Sequence, residues 1–201
     1  MFINLLATVF WLFNLNGTNT IILKYRIVEP SALSISGNSN INSFECTSFL
    51  GFNDGSATML LQKNGRSLNF SNASINLQVK SFDCKNNLIN RDFYHTLNAD
   101  TNPIIRIDLK QVETAGEPSK VKWSTFNSKV TITLNQVSQD MEIGLKGFES
   151  KAGEYHVCGS TQLLMSDFGI KPPTAMLGLI KTENKITISF DLFLQTQPTI
   201  Q

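Results

Sequence analysis

The chain has 201 residues, of which 41% are hydrophobic and 16% charged, and its 17 basic and 16 acidic side chains leave a formal net charge of +1. So large an apolar fraction supports one globular domain and excludes a disordered acidic or basic chain. The charges are scattered singly, which excludes the basic stripe with which a nucleic-acid binder neutralises phosphates.

The first element is an apolar run, Leu5 to Phe13. Its length suits the hydrophobic region of a signal peptide and is too short to span a bilayer. Residues 1–20 are therefore expected to be a signal peptide and residues 21–201 the domain, although no Lys or Arg precedes the run and no A-x-A pattern follows it. A buried amino-terminal strand is the alternative. No other segment approaches about 18 apolar residues, so the mature chain is expected to be periplasmic or secreted, with no stable membrane anchor.

Beyond the leader, apolar and polar residues alternate, as in strands with one buried face. The pattern runs through Leu33, Ile35 and Gly37, and through Ala73, Ile75, Leu77 and Val79. It recurs at Ile105 to Leu109, Val130 to Leu134, Met141 to Leu145 and Ile186 to Leu194. Turn signals fall at Asn53-Asp54-Gly55, Asn64-Gly65, Glu117-Pro118-Ser119, Lys151-Ala152-Gly153 and Glu183-Asn184. One stretch departs from period two: Ile89, Phe93 and Leu97 recur every fourth residue, which predicts a short helix over 87–98 with Asn87 as its cap. The reading is an all-β fold of about eight antiparallel strands with one helix. Such a sheet hides its edges by closing into a barrel or by packing as a sandwich.

Three cysteines, Cys46, Cys84 and Cys158, allow three pairings and match no zinc spacing. Cys46 and Cys84 share a context, Phe44-Glu45-Cys46 and Phe82-Asp83-Cys84, which favours a bridge between them in an oxidising compartment. Two buried free thiols are the alternative.

No catalytic residue is expected. The chain lacks a G-x-S-x-G elbow, and Gly159-Ser160 lies in a strand-like run. His95 and His156 fall on different elements and form no evident pair. Asp167, before Gly169 in a proline-rich turn, fits turn chemistry.

Four segments in order carry a family resemblance. They are Leu33 to Ile41 with Phe44-Glu45-Cys46; Val79 to Phe82 leading into Leu88 to Leu97; Asn102-Pro103-Ile104-Ile105-Arg106-Ile107; and Met165-Ser166-Asp167-Phe168-Gly169-Ile170-Lys171-Pro172-Pro173 with Ile186 to Phe190. In this the chain resembles the YceI-like family, in the form found in Bacteroidetes-type bacteria. The resemblance implies a lipocalin-like antiparallel barrel whose bore shelters a polyisoprenoid, a quinone or polyprenyl phosphate, without catalysing a reaction. Where many members carry a histidine in the first strand, this chain has Gly37, Asn38 and Ser39, which leaves headgroup recognition open.

The strand residues expected to line that tunnel are Leu33, Ile35, Leu77, Val79, Ile105, Ile107 and Leu109, with Ile188 and Phe190 from the last strand. Phe168, Ile170 and Met176 are expected to line it too, on the segment from Ser166 to Leu177 that controls its mouth. The expected partner is thus an isoprenoid lipid, with no cofactor besides it, no metal and no nucleic acid. Homodimerisation stays open.

Overall fold

Alternation commits one face of every strand to a core, and the strands satisfy it by closing on themselves. The structure is a computed structural model that describes residues 20–49, 53–61, 67–114 and 122–200. The expected leader, Thr20 apart, and the expected turns at Asn64-Gly65 and Glu117-Pro118-Ser119 lie outside the described residues.

The strands are β1 (Thr20–Ser39), β2 (Ser43–Phe49), β3 (Asn53–Leu61), β4 (Ser67–Gln78), β5 (Ile104–Thr114), β6 (Ser124–Leu134), β7 (Val137–Lys151), β8 (Glu154–Leu164), β9 (Thr174–Ala175) and β10 (Ile180–Ile200). They run in the order β2-β1-β3-β4-β5-β6-β7-β8-β10-β9, every pair antiparallel, and β10 pairs back onto β1. That last ladder runs from Ile21 opposite Ile200 to Ser39 opposite Thr182. It turns the sheet into a barrel and removes the sandwich alternative.

β1 serves two neighbours on its other side. Its first part, residues 20–27, pairs with β3, and residues 32–38 pair with β2. Between them lies a bulge, where the register against β10 shifts between Val28 and Ala32. Ser31, only 1% exposed, occupies it. Its hydroxyl donates to the Val28 carbonyl at 2.6 Å and accepts the Phe193 N–H at 2.8 Å. The extra residues bend the strand while its polar groups stay paired.

The split leaves a junction at one end of the barrel, called here the upper end. β3 meets β4 only through residues 58–61 and 68–71. Above that, β2 is joined to the chain following β4 by a bridge in which Thr47 and Asp83 exchange N–H···O bonds of 3.0 and 2.9 Å. Beside it a disulfide links Cys46 to Cys84, and Cys158 is free.

The helix, α1 (Asn87–Thr96), sits at the same end and is shorter than the sequence pattern predicts. Asn86, not Asn87, is its cap: the side-chain oxygen accepts from the Leu88 and Ile89 N–H groups at 2.9 and 3.2 Å. Asn98 stops it with a φ of 55°, a conformation Asn tolerates better than most residues. Ile89, Phe93 and Leu97 face the core, and Phe93 packs on Phe82 with ring centroids 5.5 Å apart.

Three local readings change. Asn53-Asp54-Gly55 lies within β3 rather than in a turn, and glycine is needed there for space: a Cβ at Gly55 would fall 2.4 Å from the Tyr25 ring. Glu183-Asn184 lies within β10, between the pairs Gly37–Ile186 and Ser39–Thr182, where the register shifts. Val79 opens a 3₁₀ turn, Val79–Ser81, instead of ending β4, and its side chain is buried all the same.

Candidate functional site

The upper half of the bore is filled. Leu33, Ile35, Leu77, Val79, Ile105 and Ile188 are each at most 3% exposed and share one apolar cluster. Phe168 and Ile170 enter that cluster from a 3₁₀ turn, Met165–Phe168, which Gly169 ends at a φ of 66°. The turn is clamped from two sides. Asn184 accepts the Ser166 N–H at 2.9 Å and donates to the Ser166 hydroxyl at 2.8 Å, while the Gln139 amide donates to the Asp167 carbonyl at 2.8 Å. Residues 165–170 thus form a fixed plug.

Further down, the packing loosens. Ile107, Leu109 and Phe190 are only partly buried, as are Ile75, Phe126, Val157 and Leu194. These side chains point inward: Ile107 stands opposite Ile75 and Ile132, and Phe190 opposite Leu33 and Gly159. Gly159 admits the Phe190 ring, which a Cβ there would approach to 2.7 Å. The outward positions nearby are solvated charges, Lys129, Asp140, Glu142 and Lys146. Ile21, Met59, Ser128 and Leu192 in the same half are buried, so the partly covered apolar side chains are a subset of the inner face there.

Polar groups appear at the lower rim. Tyr155, Glu149 and Thr196 share the inner face there, with Tyr155 opposite both Glu149 and Leu194. Burial first, then the charge of Glu149 that its hydroxyl meets, holds the Tyr155 phenol well above its ordinary range. The Glu149 carboxylate also accepts the Gly153 N–H at 3.0 Å. This is a neutral donor and an acceptor beside an apolar bore, a pair that sequence reasoning missed because both residues sit in an unremarkable strand-turn-strand.

Met176 does not line the tunnel. It is 68% exposed and Leu177 fully so, because residues 176 and 177 take φ values of 50° and 56° in the turn joining β9 to β10, which turns both side chains out of the barrel. The histidines are also apart. His95 is exposed on α1. His156 is on the outer wall, stacked on Phe193 with ring centroids 4.1 Å apart, edge-on to Trp123 and Phe148, and paired with Asp191. The signal for this cluster was the outward register of Phe148, His156 and Phe193, which only the pairing of β7, β8 and β10 reveals.

Solved structures share this architecture. BcnA of Burkholderia cenocepacia aligns with a TM-score of 0.60 at 14% identity, over 81% of this chain and 95% of that one. A polyisoprenoid binding domain from Saccharophagus degradans aligns at 0.61 and 10% identity, over 86% and 98%. The YceI protein of Campylobacter jejuni aligns at 0.50 and 14% identity, over 74% and 82%. The chain has a YceI-like fold. No protein-family model matches the sequence, and no curated protein matches it either. At identities this low the YceI-like likeness concerns the course of the backbone, and the side chains of the bore must speak for themselves.

Proposed function

We propose that the chain belongs to the YceI-like family and shelters an isoprenoid lipid in the lower half of its bore, as a non-catalytic carrier of the cell envelope, periplasmic or secreted. The observation that carries this reading is the set of inward apolar side chains that the protein itself leaves partly uncovered: Ile75, Ile107, Leu109, Phe126, Val157 and Phe190. Burying an isoprenoid against them gains about 0.8 kcal/mol per methylene-like carbon, so about ten such carbons reach the ~8 kcal/mol of micromolar binding. The Tyr155 hydroxyl then supplies a donor for a quinone carbonyl at the rim. The solved neighbour described as polyisoprenoid binding supports the ligand class.

Native mass spectrometry of protein purified without detergent tests this. A lipid adduct whose extracted mass matches a quinone or polyprenyl species is expected. The packed upper half favours a second reading, an exported barrel with a filled core and no lipid. Protein that arrives unloaded and takes up no added polyprenol or quinone would establish that reading instead.

A further inference from the structure

Exposed apolar side chains are unevenly placed on this barrel. Among the described residues, nine large hydrophobics are exposed, and Ile41, Leu88, Ile104, Leu164, Met176, Leu177 and Leu179 all stand at the upper end. Scattered apolar side chains on a surface need no explanation, whereas a concentration at one end does.

Four of these residues belong to a small hairpin and the turn beside it. β9 pairs with the start of β10, Ala175 opposite Ile180 and Thr174 opposite Lys181, and the tip between them reads Met176-Leu177-Gly178-Leu179. Met176, Leu177 and Gly178 have φ values of 50°, 56° and 89°. Left-handed positions in a turn suit Gly, Asn or Asp, and here two of them carry Met and Leu, at 68% and full exposure. Leu179 adds 73% and Ile41, on the neighbouring β1–β2 turn, 63%.

Asn40 fastens the two turns together. Its side chain donates to the Leu179 carbonyl at 2.9 Å and accepts the Lys181 N–H at 2.8 Å, and its own N–H donates to the Lys181 carbonyl at 3.1 Å. The Leu179 N–H in turn donates to the Met176 carbonyl at 3.2 Å. Three of the tip's backbone groups, the Met176 and Leu179 carbonyls and the Leu179 N–H, are thereby paired inside the protein, which lowers the cost of taking them out of water.

We propose that this tip is a membrane-docking element, with Met176, Leu177, Leu179 and Ile41 entering the acyl boundary of a bilayer. These exposed side chains are aliphatic, without the Trp, Tyr or Arg that anchor a protein partner. Lys181 at the base of the hairpin and Lys171 on the segment leading into it are exposed and placed to meet anionic headgroups, while Glu183 lies further from the tip. Docking here sets the plugged end of the barrel on the bilayer. It goes beyond the carrier reading and does not depend on what fills the bore.

Flotation of the full chain with vesicles of phosphatidylcholine and phosphatidylglycerol tests it, comparing wild type with L177S/L179S. Wild type is expected to float and the variant to lose about tenfold or more in partition coefficient, with its thermal midpoint unchanged because both side chains are exposed. In L177W, addition of vesicles should shift Trp emission to the blue, and brominated lipids should quench it. Equal flotation of both proteins, or no flotation of wild type, overturns the proposal. A concentration-dependent dimer of the wild type that L177S/L179S abolishes, without flotation, would overturn it in favour of a contact between two copies.

Discussion

Cys46 on β2 and Cys84 after β4 are joined beside the Thr47–Asp83 bridge, at the junction where β1 has handed its upper half to β2 and β3 no longer separates it from β4. The covalent bond and the short bridge together close the upper rim. The linked residues are 38 apart, so removing the bond restores loop entropy worth about 3–4 kcal/mol to the unfolded chain. C46S/C84S and reduced wild type should therefore lose similar stability in denaturant titrations. Coinciding midpoints for oxidised and reduced protein would show that the bridge alone holds the junction.

Leu77 and Ile107 separate folding from binding. Leu77 is 2% exposed inside the filled half, so Leu77→Glu leaves a buried charge without a partner and should cost about 3–5 kcal/mol. Ile107 is only partly buried, so the new carboxylate can keep some water. Ile107→Glu should cost about 1–2 kcal/mol and lower lipid occupancy far more than its stability loss explains. Thermal melts paired with native mass spectra check both, and unchanged lipid in Ile107→Glu would put that side chain outside the binding space.

Phe168 carries a sharper expectation than its turn-like sequence suggests. From sequence, Phe168→Ala should loosen lipid retention more than stability. At 1% exposure the ring is part of the packed plug, and its loss should cost about 3–5 kcal/mol. Parallel measurement of lipid off-rate and thermal midpoint distinguishes the two outcomes, and a midpoint within a degree of wild type would free the plug from the core.

The Arg106–Asp108 pair on the outer face of β5 sets a pH expectation. Hydrogen bonds of 2.7 and 2.8 Å from the guanidinium hold the Asp108 carboxyl below its ordinary value of 3.8. A depressed carboxyl stabilises the fold fully above the unfolded value and ceases to do so as pH falls through the folded one. With Arg106 half-exposed, the contribution is below about 1 kcal/mol. Asp108→Asn should thus lower stability at neutral pH slightly and flatten its decline below pH ~4. Acid titrations followed by circular dichroism check the slope, and identical slopes would show the pair to be energetically silent.

Much of the barrel was legible because period two is dictated by burial of one strand face, and Leu33, Ile35, Leu77, Ile105 and Ile188 all sit where that period puts them. What misled was local chemistry with two meanings. Gly55 looked like a turn glycine, yet its missing side chain makes room for Tyr25; Asn184 looked like a turn residue, yet it clamps Ser166 from a bulge in β10. Met176 looked like a tunnel residue because hydrophobicity alone cannot say which way a left-handed turn throws its side chains. The His156 cluster and the Tyr155–Glu149 pair were invisible because they arise from cross-strand register, which is a property of the closed sheet and of no single segment.

The ladder between β1 and β10 makes closure a late step of folding. Roughly 160 residues separate the starts of the two strands, so the barrel cannot close until nearly the whole chain is available. Until then the sheet is an open curl with bare hydrogen-bonding edges along β1 and its most recent strand, and its apolar face is uncovered. The edge of β1 is therefore the one that stays open longest to pairing with another chain.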